Sequence, residues 1–312
     1  MHINVPQVRN LIDANTMFFN PITYDEPIFR PPSEAYSLIL QPTIGCSWNR
    51  CAFCEMYTSK KFRIKNEEEL FAEIDQAALH FPQTRKVFLA DGNAMVLSTD
   101  KLLHILSYLN DKFNKLSRVT AYAIPKDMKN KSVEELCALQ QAGLKMIYVG
   151  IETGDDDLLK MINKGETSES TIASMQKAKM AGIKSSVMII NGLGGKQHSA
   201  QHAKNSAEVI NNIQPEFLST LVLSFPFGVD HYKQRFGGDF DEMNILELLR
   251  EQHTFISNLN LDSSIFRSDH ASNYLSLKGI LGRDKQLFLD QLNSAIEAPE
   301  FANLRQEWQR GL

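Results

Sequence analysis

Residues 37–57, SLILQPTIGCSWNRCAFCEMY, set a short apolar run, Ser37 to Leu40, directly ahead of three cysteines. Cys46, Cys51 and Cys54 are spaced by four residues and then two, and the whole chain has only four cysteines. Three thiols on one short loop can converge on a single metal centre without help from distant parts of the chain. A structural zinc would want a fourth Cys or His at matching short spacing. None lies nearby, and His80, the nearest histidine, falls at the end of a predicted helix. Thiolates also hold iron–sulfur clusters, and three ligands for four irons would leave one iron to a non-protein ligand. Cluster, zinc and unrelated thiols all stay open at this point.

Composition narrows the setting. The chain has 312 residues, 43% hydrophobic and 22% charged, which suits one large α/β domain or two small ones. A net charge of −4 argues against a general electrostatic grip on nucleic acid, although Lys60, Lys61, Arg63 and Lys65 could form a local basic patch or a solvated surface. MHINVPQVRN lacks a cationic segment followed by an apolar one, and no apolar run is long enough to span a membrane. The expected location is cytoplasmic, with no membrane partner. Thiols stay reduced there, which favours metal ligation over disulfides. Cys137, within SVEELCALQQAG, reads as a small buried hydrophobe.

Outward from the cysteines, the chain repeats one unit: an apolar run of about five residues, a polar loop and an amphipathic helix. The runs are Ser37 to Leu40, Lys86 to Ala90, Arg118 to Ile124, Met146 to Ile151, Ser186 to Ile190 and Phe217 to Leu223. Helices are predicted from Asn66, from Thr99, from the Ser132/Glu135 capping box to Gly143, over Ser168 to Ala181, and near residues 199–213. Continuously apolar strands imply a sheet covered by helices, hence parallel pairing through right-handed βαβ units. The fold class is α/β, and a curved, partly open (β/α)6 barrel of parallel strands is favoured over a flat doubly wound sheet. Residues 1–35, with prolines at 6, 21, 27, 31 and 32, read as an extended N-terminal arm. Residues 36–230 read as the barrel core. In residues 231–312 the βα rhythm is lost, and helices near 244–258 and 284–296 form a C-terminal extension that would cover the substrate side.

Chemistry in such folds sits at the carboxyl ends of the strands. The cysteines follow the first run, Asp91-Gly92-Asn93 the second, Glu152-Thr153-Gly154 the fourth, and Asn191-Gly192 with Gly194 and Gly195 the fifth. One rim therefore collects four informative loops.

A cysteine triplet after the first strand of a six-unit βα chain resembles the radical S-adenosylmethionine (SAM) superfamily, over about residues 36–228. The usual spacing there is three and then two, so this chain carries one added residue. The resemblance implies that Cys46, Cys51 and Cys54 bind a [4Fe-4S] cluster whose fourth iron takes the amine and carboxylate of SAM. Reductive cleavage would give a 5'-deoxyadenosyl radical that abstracts hydrogen from a small-molecule substrate, with an electron donor such as flavodoxin or ferredoxin. Phe53 stands at the aromatic position near the adenine, and Asp91, Gly92 and Asn93 at a Gly-Gly-Glu-like turn facing the SAM amine. Gly150-Ile151-Glu152-Thr153-Gly154 resembles a segment of the branch containing methylthiotransferases and oxygen-independent coproporphyrinogen oxidases, where the glutamate binds SAM. Asn191 and Gly192 stand where the fifth strand lies along the adenine. Each also has an ordinary use: Phe53 as core, the glycines as turns, Glu152 as a helix cap. Tetrapyrrole oxidation, nucleoside lysis or modification, and a zinc-stabilised binding module are the alternatives. Only Cys137 is left to bind a second cluster, which disfavours methylthiotransferase chemistry, and no room remains for a cobalamin domain. Arg267, His270 and Asn273, in a polar segment, are candidates for holding a substrate carboxylate or phosphate, or else form a helix cap.

Overall fold

A computed structural model describes residues 22–311. Prolines 6 and 21 of the expected arm lie outside them. The strands are β1 Leu38–Leu40, β2 Thr43–Ile44, β3 Arg63–Ile64, β4 Lys86–Leu89, β5 Arg118–Ala123, β6 Leu144–Glu152, β7 Lys184–Asn191, β8 Phe217–Val222, β9 Ile265–Ser268 and β10 Leu277–Ile280. The α-helices are α1 Glu67–His80, α2 Thr99–Lys112, α3 Pro125–Lys129, α4 Val133–Gln141, α5 Asp156–Met161, α6 Ser168–Met180, α7 Gly195–Ile213, α8 Val229–Arg235, α9 Ile245–Asn258 and α10 Leu281–Glu297.

Capping chemistry places the helices. The Asn66 side chain accepts from the Glu68 N–H at 2.8 Å to open α1, and Ser132 and Glu135 form the reciprocal box that opens α4. Gly143 and Gly182, both at positive φ, end α4 and α6. The short helices α3, α5 and α8 escape a periodicity reading, because one or two turns give too little repeat. Helix α7 begins at Gly195, four residues before the predicted 199, through a glycine turn.

Eight strands form one sheet in the order β1-β4-β5-β6-β7-β8-β9-β10, while β2 and β3 pair separately. All pairings from β1 to β9 are parallel, and β10 is antiparallel to β9. This is the expected partial barrel: β1 and β10 do not pair, so it does not close. One expectation needs correcting. The βα rhythm continues past residue 230, since β8 leads through α8 and α9 into a further parallel strand, β9. The four residues of β9 alternate Phe266 and Ser268, both fully buried, with exposed Arg267, so the run read as polar loop.

Alternation divides the sheet into two faces. Val87, Leu89, Val119, Ala121, Ile147 and Val149 join the helices in the main core. Phe88, Tyr122, Met146 and Tyr148 face the concave side, where Tyr24 and Ile28 of the arm pack against them. There the Tyr148 hydroxyl donates to Glu34 Oε1 at 2.6 Å, and Arg118 Nη2 donates to the same oxygen at 3.0 Å. The arm thus fills the amino end of the concave face. The carboxyl end is left to the loops. Among the described residues no helix is long and apolar enough to cross a membrane.

Candidate active site

The cysteine loop leaves β2 and returns on β3, so this small antiparallel ladder ties its base. Cys46, Cys51 and Cys54 are free and half-buried. The turn after β4 clamps the first cysteine from both sides. Asp91 Oδ2 accepts from the Gly45 N–H at 3.0 Å, and Asn93 Oδ1 accepts from the Ser47 N–H at 2.9 Å. Between them, a Cβ on Gly92 would stand 2.4 Å from Cys46 Cα, so only glycine allows this approach. Lys60 Nζ lies 2.8 Å from Asp91 Oδ2, and Asn93 Nδ2 donates to Asp127 Oδ1 at 2.9 Å. Asp91 Oδ2 and Asn93 Oδ1 are thus committed to the loop, while Asp91 Oδ1 is buried without a partner.

The basic patch dissolves in the same geometry. Lys60 and Lys65 are 8% and 6% exposed, and Lys65 lies 2.6 Å from Glu73. Only Lys61 and Arg63 stay exposed, because an ion pair can bury a lysine that looks surface-bound in sequence.

Between Cys46 and Cys51 the loop turns at Trp48 to Arg50. Asn49 takes a left-handed φ of 45° and its Nδ2 donates to Tyr57 O at 2.8 Å. Trp48 Nε1 donates to Asn163 O at 2.7 Å, its ring lies on Gly165, and Lys126 Nζ is 4.1 Å from its centroid. The Ala52 N–H bonds Ile162 O at 2.8 Å, and Arg235 Nη2 of α8 donates to Cys51 O at 2.8 Å. The loop is therefore held by the segment after α5 and by α8 as well as by the turn after β4.

Glu152 ends β6 at φ 69°, where a register shift lets its side chain fold back over Gly150. Its Oε1 lies 3.1 Å from Lys164 Nζ, and Oε2 is buried without a partner. Lys164 Nζ also lies 5.6 Å from the centroid of Phe53, so Phe53, Lys164 and Glu152 form one group beside the cysteines. Burial is the largest influence and works against the Lys164 ammonium, yet Glu152 together with Cys51 and Cys54 holds the pKa above the usual lysine value. Sequence reasoning missed Lys164, since a lysine in Asn163-Lys164-Gly165 carries no sign of burial.

Burial pushes the Cys54 thiol up to about 11 and raises Cys51 too, with Lys164 acting against the rise at both. Thiols in such a setting ionise on a metal centre, which supplies the opposing charge. Among the described residues no three Cys, His, Asp or Glu groups stand close enough to share one metal ion. A cubane takes its thiolates on three different irons, which sets them farther apart than the ligands of one zinc. The donor set, the glycine-only approach at Gly92 and the orphaned Glu152 oxygen fit a cluster with one open iron.

Asn191 ends β7, buried, with Nδ2 lacking a partner. Gly192 follows at φ 79°, and its N–H donates to Glu251 Oε1 at 2.6 Å. Ile190, one residue earlier, packs in the apolar group that Phe53 borders, which links this rim segment to the cysteine loop. Glu251 and His202, whose Nδ1 lies 2.8 Å from Thr153 Oγ1, form a buried polar group behind the rim that nothing in the sequence signalled. A cavity of about 300 Å³ opens where Gly192, Leu223, Phe225, Ser272, Tyr274 and Arg310 meet. Arg267, His270 and Asn273 do not line it. Arg267 is exposed on β9, His270 bonds Ser272 Oγ at 2.9 Å with its pKa lowered by burial and Arg305, and buried Asn273 donates to Thr220 O at 2.8 Å.

Fold and rim together define an α/β partial-barrel protein with three thiols at the carboxyl end of its sheet. The Radical SAM superfamily matches residues 40–208, more than half of the chain, and the chain belongs to that superfamily. Enzymes of that superfamily use a [4Fe-4S] cluster and SAM as cofactors. It is similar to 4'-phospho-dehydrooxetanocin synthase of Priestia megaterium, 28% identical over 166 residues that cover 47% of this chain and 22% of that protein. It is also similar to the heme chaperone HemW of Bacillus subtilis, 22% identical over 182 residues that cover 55% and 47% of the two chains. The matched region spans less than half the length of either relative. In fold it resembles coproporphyrinogen III oxidase (HemN) of Escherichia coli, at a TM-score of 0.53 and 15% identity over 71% of this chain and 52% of that one.

Proposed function

We propose that Cys46, Cys51 and Cys54 hold the [4Fe-4S] cluster, with the open iron facing the rim formed by the turn after β4 and the end of β6. The observation that carries this is three half-buried thiols on one loop, the first clamped on both sides by Asp91 and Asn93, beside a buried carboxylate with one free oxygen. When bound, the cluster supplies the electron that splits SAM into methionine and a 5'-deoxyadenosyl radical, which takes hydrogen from the substrate. The chain's part is positioning and exclusion of water. Asp91 and Asn93 fix the loop, and the Asp91-Gly92-Asn93 backbone is offered to the SAM amine. Lys164 supplies a buried cation for the SAM carboxylate, while the free oxygen of Glu152 accepts from the cofactor. Phe53, Asn191 and Gly192 would hold the adenine.

The substrate is a small molecule approached from the concave face; in the C-terminal extension α9 and α10 pack on the opposite, helical face, while Ser272, Tyr274 and Arg310 border the cavity beside Gly192. A one-electron protein donor of flavodoxin or ferredoxin type suits the chemistry, and a cytoplasmic setting keeps the thiols reduced. Loss of half the basic patch to buried ion pairs weighs against nucleic acid as the substrate. Tetrapyrrole oxidation and nucleoside lysis or modification are the alternative reactions proposed for this chain.

The test is anaerobic reconstitution with iron and sulfide, followed by dithionite and SAM. The expected product is 5'-deoxyadenosine. A cluster-loaded, SAM-binding protein that forms none would overturn the reading, as would purification with zinc and no iron.

A further inference from the structure

Strands β9 and β10 complete the concave face beyond the expected six units, and they bring two cations onto it. Phe266 and Ser268 of β9 point to the helices: Phe266 lies 5.5 Å from Phe288, and Ser268 Oγ accepts from Gln252 Nε2 at 2.7 Å. Alternation then puts exposed Arg267 on the opposite, concave face. Leu277 of β10 is buried in the main core, so exposed Lys278 shares that face. The antiparallel register sets Lys278 directly opposite Arg267.

Directly opposed side chains have Cβ atoms about 5 Å apart, and like charges there destabilise a sheet. Among the described residues neither cation has an ion-pair partner. Lysine on an edge strand guards against pairing with other chains, which accounts for Lys278 on β10. It does not account for Arg267, whose strand pairs on both sides.

The register also says what lies beside the two cations. Gly150, Met188, Ser219, Arg267 and Lys278 are successive neighbours across the sheet. At about 4.8 Å per strand, Arg267 stands three strands, or roughly 14 Å, from Gly150. Glu152 folds over Gly150, so the row runs from the cofactor end of the rim to the cationic edge. Its middle is a flexible methionine and a small serine, both partly exposed.

We infer that Arg267 and Lys278 form an anion subsite on the concave face, which takes the phosphate or carboxylate of the substrate about three strand spacings from Gly150. This rests on the proposed function only in taking the concave face as the substrate side. Arginine offers a planar fork and lysine a mobile point charge, a pairing suited to a terminal oxyanion.

The experiment is calorimetric titration of the cluster-loaded protein with inorganic phosphate and, separately, with acetate, in a buffer of weakly binding ions. Saturable binding of at least one anion is expected, weakened about tenfold by Arg267→Gln and by Lys278→Gln. Lys204→Gln, a surface cation of α7, should leave it unchanged. Preference for phosphate or acetate identifies the anion. Circular dichroism confirms folding, and Lys278→Gln, on the edge strand, reads the result if Arg267→Gln does not fold. No saturable binding, binding unaffected by the β9 and β10 variants, or equal weakening by Lys204→Gln would overturn the inference. In the same preparation, 5'-deoxyadenosine formation reads the enzyme assignment separately. SAM cleavage without anion binding sinks only the subsite, and anion binding without SAM cleavage sinks only the proposed function.

Discussion

Lys164 and Asp127 carry the consequences that are easiest to measure one residue at a time. The side chains of Lys164 and Glu152 are 8% and 5% exposed, so removing the amine alone leaves a carboxylate buried without its cation. Lys164→Met should destabilise the apo protein by about 3–5 kcal/mol, and the double variant with Glu152→Gln should recover part of that in urea melts. Burial lifts the Asp127 carboxyl from 3.8 to about 7, against hydrogen bonds from the Ile124 N–H and Asn93. Between about pH 4 and pH 7 the folded protein keeps a proton that the unfolded chain gives up. This group's contribution to stability therefore falls as pH rises through that window. Asp127→Asn should remove that contribution, so that Tm declines less steeply from pH 4 to pH 7 than in the parent. At this scale the sequence shows the cysteines, Gly92 and Glu152, because their type and spacing state a chemistry. It hides Lys60 and Lys164, because burial of a lysine depends on a carboxylate brought in from elsewhere in the fold.

At the scale of elements, the cysteine loop turns between Cys46 and Cys51 at a single left-handed residue. Asn49 takes the left-handed turn, and its side chain ties the loop to Tyr57. Asn49→Gly keeps the backbone conformation and should retain iron close to the parent level. Asn49→Ala adds a left-handed penalty of about 1–2 kcal/mol to the lost hydrogen bond, and should lower iron per chain after reconstitution. Long elements are legible because caps and periodicity agree, as at the start of α1 after Asn66 and at both ends of α4, between Ser132 and Gly143. Strand β9 was not, because a four-residue strand with an arginine and a serine has the composition of a loop until a neighbouring strand pairs with it.

For the whole molecule, the parallel order of strands follows from the repeating unit, and the rim follows from that order. Continuous apolar runs announce six units of a partly open barrel but not the two strands added by the tail: β9 and β10 extend the far edge, and the barrel stays open. One iron of the proposed cluster should be free of protein ligands and face that rim. Electron–nuclear double resonance of the reduced, reconstituted protein with SAM labelled by nitrogen-15 at the amine and oxygen-17 at the carboxylate measures this directly. Hyperfine coupling of both labels to the reduced cluster is the predicted result. A reduced [4Fe-4S] signal with SAM bound and neither label coupled would contradict it.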